Sequence, residues 1–180
     1  MVKIRSLTKD DMQEAIQLKI NCWTEELAGK ADNTLDYSKE LEFWINWMSL
    51  AEENNDIRLL IGAFEDNKML GVAFASFAEV EDIPENGVEL NGLWVYPEQR
   101  GKGISLMLII HILDFFKNIG KEKIVIYNHH FAPSNYFYRK FGASVIRQDL
   151  QMNGKLLIDV FIADIENFKN NMKNSLLKYK

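Results

Sequence analysis

The stretch that most constrains this chain runs from Val88 to Ile110. Val88-Glu89-Leu90-Asn91-Gly92-Leu93-Trp94-Val95-Tyr96 reads as a strand, and Pro97 ends it. Glu98-Gln99-Arg100-Gly101-Lys102-Gly103 forms a loop, and an apolar helix follows over about 103–118, stopping at Gly120. A strand that feeds a glycine-bearing turn into a helix aims several backbone N–H groups at one volume. The helix N-terminus adds unpaired donors and about half a positive charge. Glycine lets an anion come close to the main chain. Such a segment is built to hold phosphate. Two common phosphate motifs fail on spacing: Lys102 is followed by Gly103 and not by Ser or Thr, and position 106, where a dinucleotide fingerprint needs its third glycine, is Leu106.

The chain has 180 residues, enough for one domain with one core. No apolar run approaches the roughly 20 residues that span a bilayer, so no membrane partner is expected. The N-terminal residues hold no apolar signal core, and Cys22 is the one cysteine, so we expect a cytoplasmic protein without disulfides. Net charge is −5. Residues 166–180 carry Glu166 against Lys169, Lys173, Lys178 and Lys180, a net +3, which leaves −8 on the other 165. A body that acidic lacks the basic face of a nucleic-acid binder. Phe168, Met172 and Tyr179 recur at helical spacing, so the tail reads as a short helix whose lysines form a solvated face.

The predicted order is a strand at 2–6, helices at about 10–27 and 38–52, strands at about 57–65, 68–80 and 88–96, a helix at 103–118, a strand at 124–127, a helix near 134–141, and strands at about 144–152 and 155–163. Thr8 or Asp10 is the expected first cap. Glu65-Asp66-Asn67-Lys68, Ile83-Pro84-Glu85-Asn86-Gly87 and Asn153-Gly154 are the expected turns. The single strand–helix–strand crossover at 88–127 should pair its strands in parallel. Gly92 inside a strand suggests a β-bulge.

The loop resembles the pyrophosphate loop of the GNAT superfamily of N-acetyltransferases, whose pattern Arg/Gln-x-x-Gly-x-Gly/Ala falls on Arg100, Gly103 and Ser105, with Ser105 a departure at the last position. The flanks Leu93-Trp94-Val95-Tyr96-Pro97 and Ile104-Ser105-Leu106-Met107-Leu108 are similar too, as is Ser134-Asn135-Tyr136-Phe137-Tyr138-Arg139-Lys140-Phe141-Gly142-Ala143. The resemblance implies a mixed α/β (α+β) GNAT-like fold: a mostly antiparallel seven-stranded sheet with about four helices, a domain over 1–165 and a tail over 166–180. It implies acetyl transfer from acetyl-CoA to a primary amine by direct attack in a ternary complex. A small-molecule acceptor is slightly favoured over a protein or peptide amine. A non-catalytic acyl-CoA-binding module is the alternative from another class, and a homodimer is an oligomeric state the resemblance allows.

The same resemblance assigns roles. Leu93, Trp94, Val95, Arg100, Gly101, Lys102, Gly103, Ile104, Ser105, Asn135 and Tyr138 are expected at the cofactor. Glu89, eleven residues before Arg100, is the candidate general base, and Tyr138 the candidate acid toward the leaving thiolate. The family's asparagine seven residues before that tyrosine is Phe131 here, so Asn135 or Asn128 is the substitute. Trp44, Trp47 and Glu89 are the candidate acceptor contacts. Glu79, Glu81, Asp82, Glu85 and Glu89 form either a solvated face or a field that steers a cationic amine. His129 and His130 are adjacent on a strand and point to opposite faces, so no metal site is expected there; one of them assisting proton transfer is the remaining option.

Overall fold

A computed structural model describes residues 1–79 and 87–179. The elements are β1 (Lys3–Ser6), α1 (Asp11–Leu27), α2 (Tyr37–Ser49), β2 (Leu59–Glu65), β3 (Lys68–Phe77), β4 (Gly87–Val95), a 3-10 turn (Pro97–Gln99), α3 (Ile104–Asn118), β5 (Lys123–His129), α4 (Ser134–Lys140), β6 (Ser144–Gln151), β7 (Leu156–Asp164), α5 (Ile165–Leu176) and a final 3-10 turn (Leu177–Tyr179). The turn expected at 83–87 lies outside the described residues up to Gly87.

Local chemistry explains several boundaries. Thr8 and Asp11 cap α1 reciprocally: the Thr8 N–H and hydroxyl donate to Asp11 Oδ2 (2.7 and 2.8 Å), and the Asp11 N–H donates to Thr8 Oγ1 (3.3 Å). Of the two expected caps, Thr8 does this work, and Asp10 makes no side-chain cap bond. Asp36 caps α2 by accepting from the Lys39 N–H at 2.9 Å. β2 starts two residues later than predicted because Arg58 turns aside to Asp56 (2.9 Å) and to the Trp47 carbonyl. β2 and β3 join through Asp66 and Asn67, at φ 49° and 63°, the pair of left-handed residues a tight hairpin needs.

All seven strands lie in one sheet, in the order β1-β2-β3-β4-β5-β7-β6. The β4–α3–β5 crossover is parallel as expected, with Gly87–Leu90 opposite Lys123–Ile126; β1–β2, β5–β7 and β6–β7 are antiparallel. β3 and β4 are tied by the Ala78 N–H to the Gly87 carbonyl and the Tyr96 N–H to the Leu70 carbonyl. Between these ties β4 steps from 87 to 96, nine residues, while β3 steps from 78 back to 70, eight. β4 therefore carries one extra residue, a bulge. The β4–β5 pairing is regular over 87–90, which leaves the bulge at 91–95, around Gly92. A Cβ on Gly92 would meet the Trp94 indole at 2.1 Å, so only glycine lets that ring fold back over the strand.

The chain separates into two compact units. The first comprises 1–74 and 92–108. Its core gathers Met12, Ala15 and Ile16 of α1, Trp44 of α2, Leu60 and Phe64 of β2, Val72 and Phe74 of β3, and Trp94. Each fully buried apolar side chain contributes about 1.5–3 kcal/mol. The second unit comprises 75–91 and 109–180. Its buried residues include Ile112, Leu113 and Phe116 of α3, Ile124, Val125 and Ile126 of β5, Val160 and Phe161 of β7, and Ile165, Phe168 and Met172 of α5. The lysines of α5 correct the solvated-face expectation in part. Lys169 is 8% exposed and pairs with Glu166 (3.1 Å) and Asp114 (3.3 Å), and Lys173 reaches Asp114 at 3.2 Å. The partner, Asp114 on α3, is far away in sequence, so helical spacing alone did not reveal it. Lys178 is exposed as expected.

Candidate functional site

The glycine loop belongs to the first unit. Pro97–Gln99 turn tightly, with the Gln99 and Arg100 N–H groups bonded to the Tyr96 and Pro97 carbonyls. Gly101 and Gly103 then adopt φ 74° and 80°, the left-handed region that L side chains enter only at a cost of about 1–2 kcal/mol. α3 starts at Ile104, and the Gly103 carbonyl takes its first helical bond, from the Met107 N–H at 3.0 Å. The N–H groups of the first turn, from Ile104 and Ser105 onward, have no carbonyl one turn back. A Cβ on Gly101 would meet nothing within 4 Å, so that side of the loop is open. Lys102 is exposed and bonds Gln99 Oε1 at 3.1 Å. Ser105 is half-buried on the first turn of α3, where its hydroxyl is compatible with an anion site. The loop and helix end thus fit a pyrophosphate.

Arg100 does something the motif did not foretell. Its Nη1 and Nη2 make a two-pronged pair with Glu25 of α1, at 2.7 and 2.8 Å. Nε donates to the Val95 carbonyl at 3.3 Å, and Nη2 lies 3.7 Å from Cys22 Sγ. The pairing holds the Glu25 carboxyl below its usual range and raises the guanidinium above its own. Burial pushes the Cys22 thiol up, against Arg100's opposing charge, so it is no activated nucleophile.

Leu93 is half-buried, while Trp94 and Val95 are buried. Trp94 packs edge-on to Phe74 with ring centres 5.3 Å apart. Trp44 was expected to line an acceptor pocket. The structure packs it against Phe43, Trp47 and Phe74, 7% exposed. Its indole N–H goes to Glu40 at 3.1 Å. Trp47 is half-buried under the Arg58 guanidinium. Glu40 also pairs with Lys19 (2.5 Å), whose ammonium sits 5.0–5.6 Å from the rings of Trp23, Trp44 and Trp94. Burial lowers the Lys19 pKa, opposed by Glu40.

The second unit holds the other candidates. Glu89 is half-buried between Val88 and Leu90, its backbone opposite Val125. Tyr138 is 5% exposed on α4, its ring 5.7 Å from Phe161. Asn135 was expected at the cofactor, but its amide is spent inside the protein. Nδ2 donates to the His129 and His130 carbonyls, both at 2.9 Å, and Oδ1 accepts from Asn128 Nδ2 at 2.7 Å. It brackets the end of β5 to α4. Asn128 Nδ2 also reaches Ser134 Oγ at 2.8 Å. His129 is buried and His130 exposed, on opposite faces as expected. Among the described residues no group of three His, Cys, Asp or Glu could hold a metal. Glu81, Asp82 and Glu85 lie outside the described residues; Glu79 is exposed.

Two features escaped sequence reasoning. Glu25 carries no motif and left no signal. Asp159 did leave one: a lone carboxylate in the apolar run Leu156-Leu157-Ile158-Asp159-Val160-Phe161. It is 1% exposed and takes bonds from Gln148 Nε2 (2.8 Å) and His130 Nδ1 (3.0 Å). Burial alone would raise its pKa, but those bonds and the charges of His130 and Arg139 outweigh it and hold the carboxyl low.

Comparison with known proteins agrees with this architecture. The model of the acetyltransferase (GNAT) family matches residues 13–143. The chain belongs to this family, whose members are acyl-CoA-dependent N-acetyltransferases. Among solved structures, the PaiA N-acetyltransferase from Thermoplasma acidophilum, in complex with coenzyme A, shares 22% identity over 91% of this chain and 99% of that one, with a TM-score of 0.68. Ribosomal-protein-alanine N-acetyltransferase from Brucella melitensis shares 16% over 90% and 99%, TM-score 0.69. Spermidine N-acetyltransferase from Vibrio cholerae, with CoA and spermine, shares 18% over 93% and 97%, TM-score 0.65. These likenesses establish the fold. No curated protein sequence matches the chain. Among the described residues no helix is long and apolar enough to cross a membrane.

Proposed function

We propose that the protein transfers an acetyl group from acetyl-CoA to a primary amine, with a small-molecule amine the favoured acceptor. The observation that carries this is the β4–loop–α3 segment: two left-handed glycines and a helix N-terminus in the order that cradles a pyrophosphate. Backbone N–H groups of 101–105 and the Lys102 ammonium would hold the phosphates. The bulge at 91–95 interrupts the regular ladder, and a backbone N–H of Leu93, Trp94 or Val95 would serve the thioester carbonyl. Bound acetyl-CoA supplies the activated acyl group; the protein's own residues supply position and proton transfer.

An amine of pKa near 10.4 is only about 0.04% neutral at pH 7, a deficit of roughly 4–5 kcal/mol. Glu89 relieves it as a general base, directly or through a water, and half-burial on a rigid strand suits that work. Tyr138 donates a proton toward the leaving thiolate; a phenol near pKa 10 and a thiol near 8.5 make that transfer mildly uphill. A Tyr138→Phe variant with full turnover would remove this role.

Relatives of the same fold named for spermidine and for a ribosomal-protein alanine show that the fold leaves the acceptor open. A mass-spectrometric screen of small amines, polyamines and lysine or N-terminal peptides with acetyl-CoA tests the reading. Gain of one acetyl group on a small amine supports it, and acetylation confined to peptides moves the acceptor to the second class. CoA binding with no transfer to any amine would replace the enzyme with a binding module.

A further inference from the structure

In the motif that defines the loop, the leading arginine is the residue one would assign to the phosphates. We propose that in this chain Arg100 is a positioning residue which, with Glu25 of α1 as its partner, staples the pyrophosphate loop to α1, leaving the anion to the main-chain amides and Lys102. The inference rests on the reading of the loop as an acetyl-CoA site.

Three observations within the first unit carry it. Nε, Nη1 and Nη2 of Arg100 all have protein partners, and the two terminal nitrogens meet Glu25 in the parallel two-bond geometry that is the strongest a guanidinium makes with a carboxylate. Arg100 Nε closes back on the Val95 carbonyl, so the side chain spans the whole turn from the end of β4 to the glycines. The staple is also not alone. Tyr96 donates its hydroxyl to Glu14 Oε1 at 2.8 Å, and Cys22 Sγ lies 3.9 Å from the Val95 oxygen. Glu14, Cys22 and Glu25 are eight and then three residues apart, which places them within about 80° of one face of a helix turning 100° per residue. One face of α1 therefore holds the segment 95–100 at three points. Gly101 and Gly103 follow directly, and their left-handed angles need a fixed lead-in to aim the amides.

Calorimetric titration of CoA into wild type, Glu25→Gln, Arg100→Gln, the double variant and Arg100→Lys tests this. Both residues are about half exposed, so the fold should survive, which a thermal melt of each variant checks. The staple predicts that Glu25→Gln and Arg100→Gln each weaken CoA binding by a similar factor, about five- to thirtyfold. The double variant should be no worse than the weaker single. Arg100→Lys should also lose affinity, because an ammonium keeps the charge and not the fork. Saturating acetyl-CoA should restore kcat, so the loss appears in KM. If Glu25→Gln bound CoA as tightly as wild type or more tightly, Arg100 would be a direct phosphate ligand or irrelevant, and the staple would be refuted. Wild type failing to bind CoA would instead overturn the parent reading of the loop.

Discussion

The two regions that carry the proposed chemistry are built on opposite principles. The loop between β4 and α3 works through its main chain: two glycines at positive φ, the open N-terminus of α3, and a charged staple that touches no ligand in our account. The second unit, in the proposed mechanism, acts through side chains. Glu89 and Tyr138 are half-buried and buried single groups, and Asn135 and Asp159 are buried polar residues whose bonds are internal. A main-chain site is written into sequence as glycine spacing. A side-chain site depends on what each group touches, and that is settled only when distant strands meet.

Substitutions can break or sharpen this contrast. The largest effect should come from Glu89→Gln: a fall in kcat of about 10²–10⁴-fold, the ordinary worth of a positioned base. CoA affinity should stay unchanged, and the acidic limb of the pH–rate profile should flatten. Unaltered turnover would remove Glu89 from the chemistry. Asn135→Ala should cost about 1–3 kcal/mol of stability, because it strips partners from the buried His129 carbonyl and from Asn128. A melting temperature well below wild type with an unchanged KM for acetyl-CoA would confirm the bracket; a normal melt with raised KM would return Asn135 to the cofactor.

Gly92→Ala acts within the bulged part of β4. Its Cβ would strike a buried indole at 2.1 Å, and overpacking of this kind costs about 1–3 kcal/mol. We expect a lower melting temperature and shifted tryptophan fluorescence from Trp94. The smallest effect concerns acid. Asp11, Glu25 and Asp159 are all held below the usual carboxylate range. A carboxyl with a depressed folded pKa stabilises fully above its unfolded value, near 4, and loses that contribution as pH falls through the folded one. Melting temperature should be flat above about pH 5 and decline below it. For Glu25 the decline is small because the carboxylate is well exposed. Stability that rose on acidification from pH 5 to 3 would contradict these assignments.

Much of the fold was legible because its signals are local. The Asp66-Asn67 hairpin, the Gly120 stop and the β4–α3–β5 crossover each sit within a few residues of their cause. The bulge near Gly92 was legible as a suspicion, and its reason, the Trp94 ring two residues on, was not. Side-chain assignments travelled less well. Trp44 was a candidate acceptor contact because the family resemblance puts that pocket at α2; its burial against Phe74 and near Lys19 was not legible. Asn135 had the right residue type on the right helix, and its amide donates to the His129 and His130 carbonyls at the end of β5. Arg100 fits the motif, but its partner Glu25 lies seventy-five residues earlier, on a helix with no motif of its own. In each case the surroundings of the side chain depend on a long-range partner that periodicity cannot name.

The central claim is that the Gly101–Ser105 main chain grips a pyrophosphate. Parallel titration of wild type and Gly103→Ala with CoA and with pantetheine, which lacks the pyrophosphate, tests it most directly. Gly103 sits at φ 80°, so an alanine there costs about 1–2 kcal/mol to hold in place, and a free loop that relaxes must repay it on binding, up to roughly five- to thirtyfold in affinity. The account predicts that wild type binds CoA far more tightly than pantetheine, and that Gly103→Ala loses much of that margin while binding pantetheine as before. Equal affinity of wild type for the two compounds, or a Gly103→Ala variant that keeps the full margin, would contradict it.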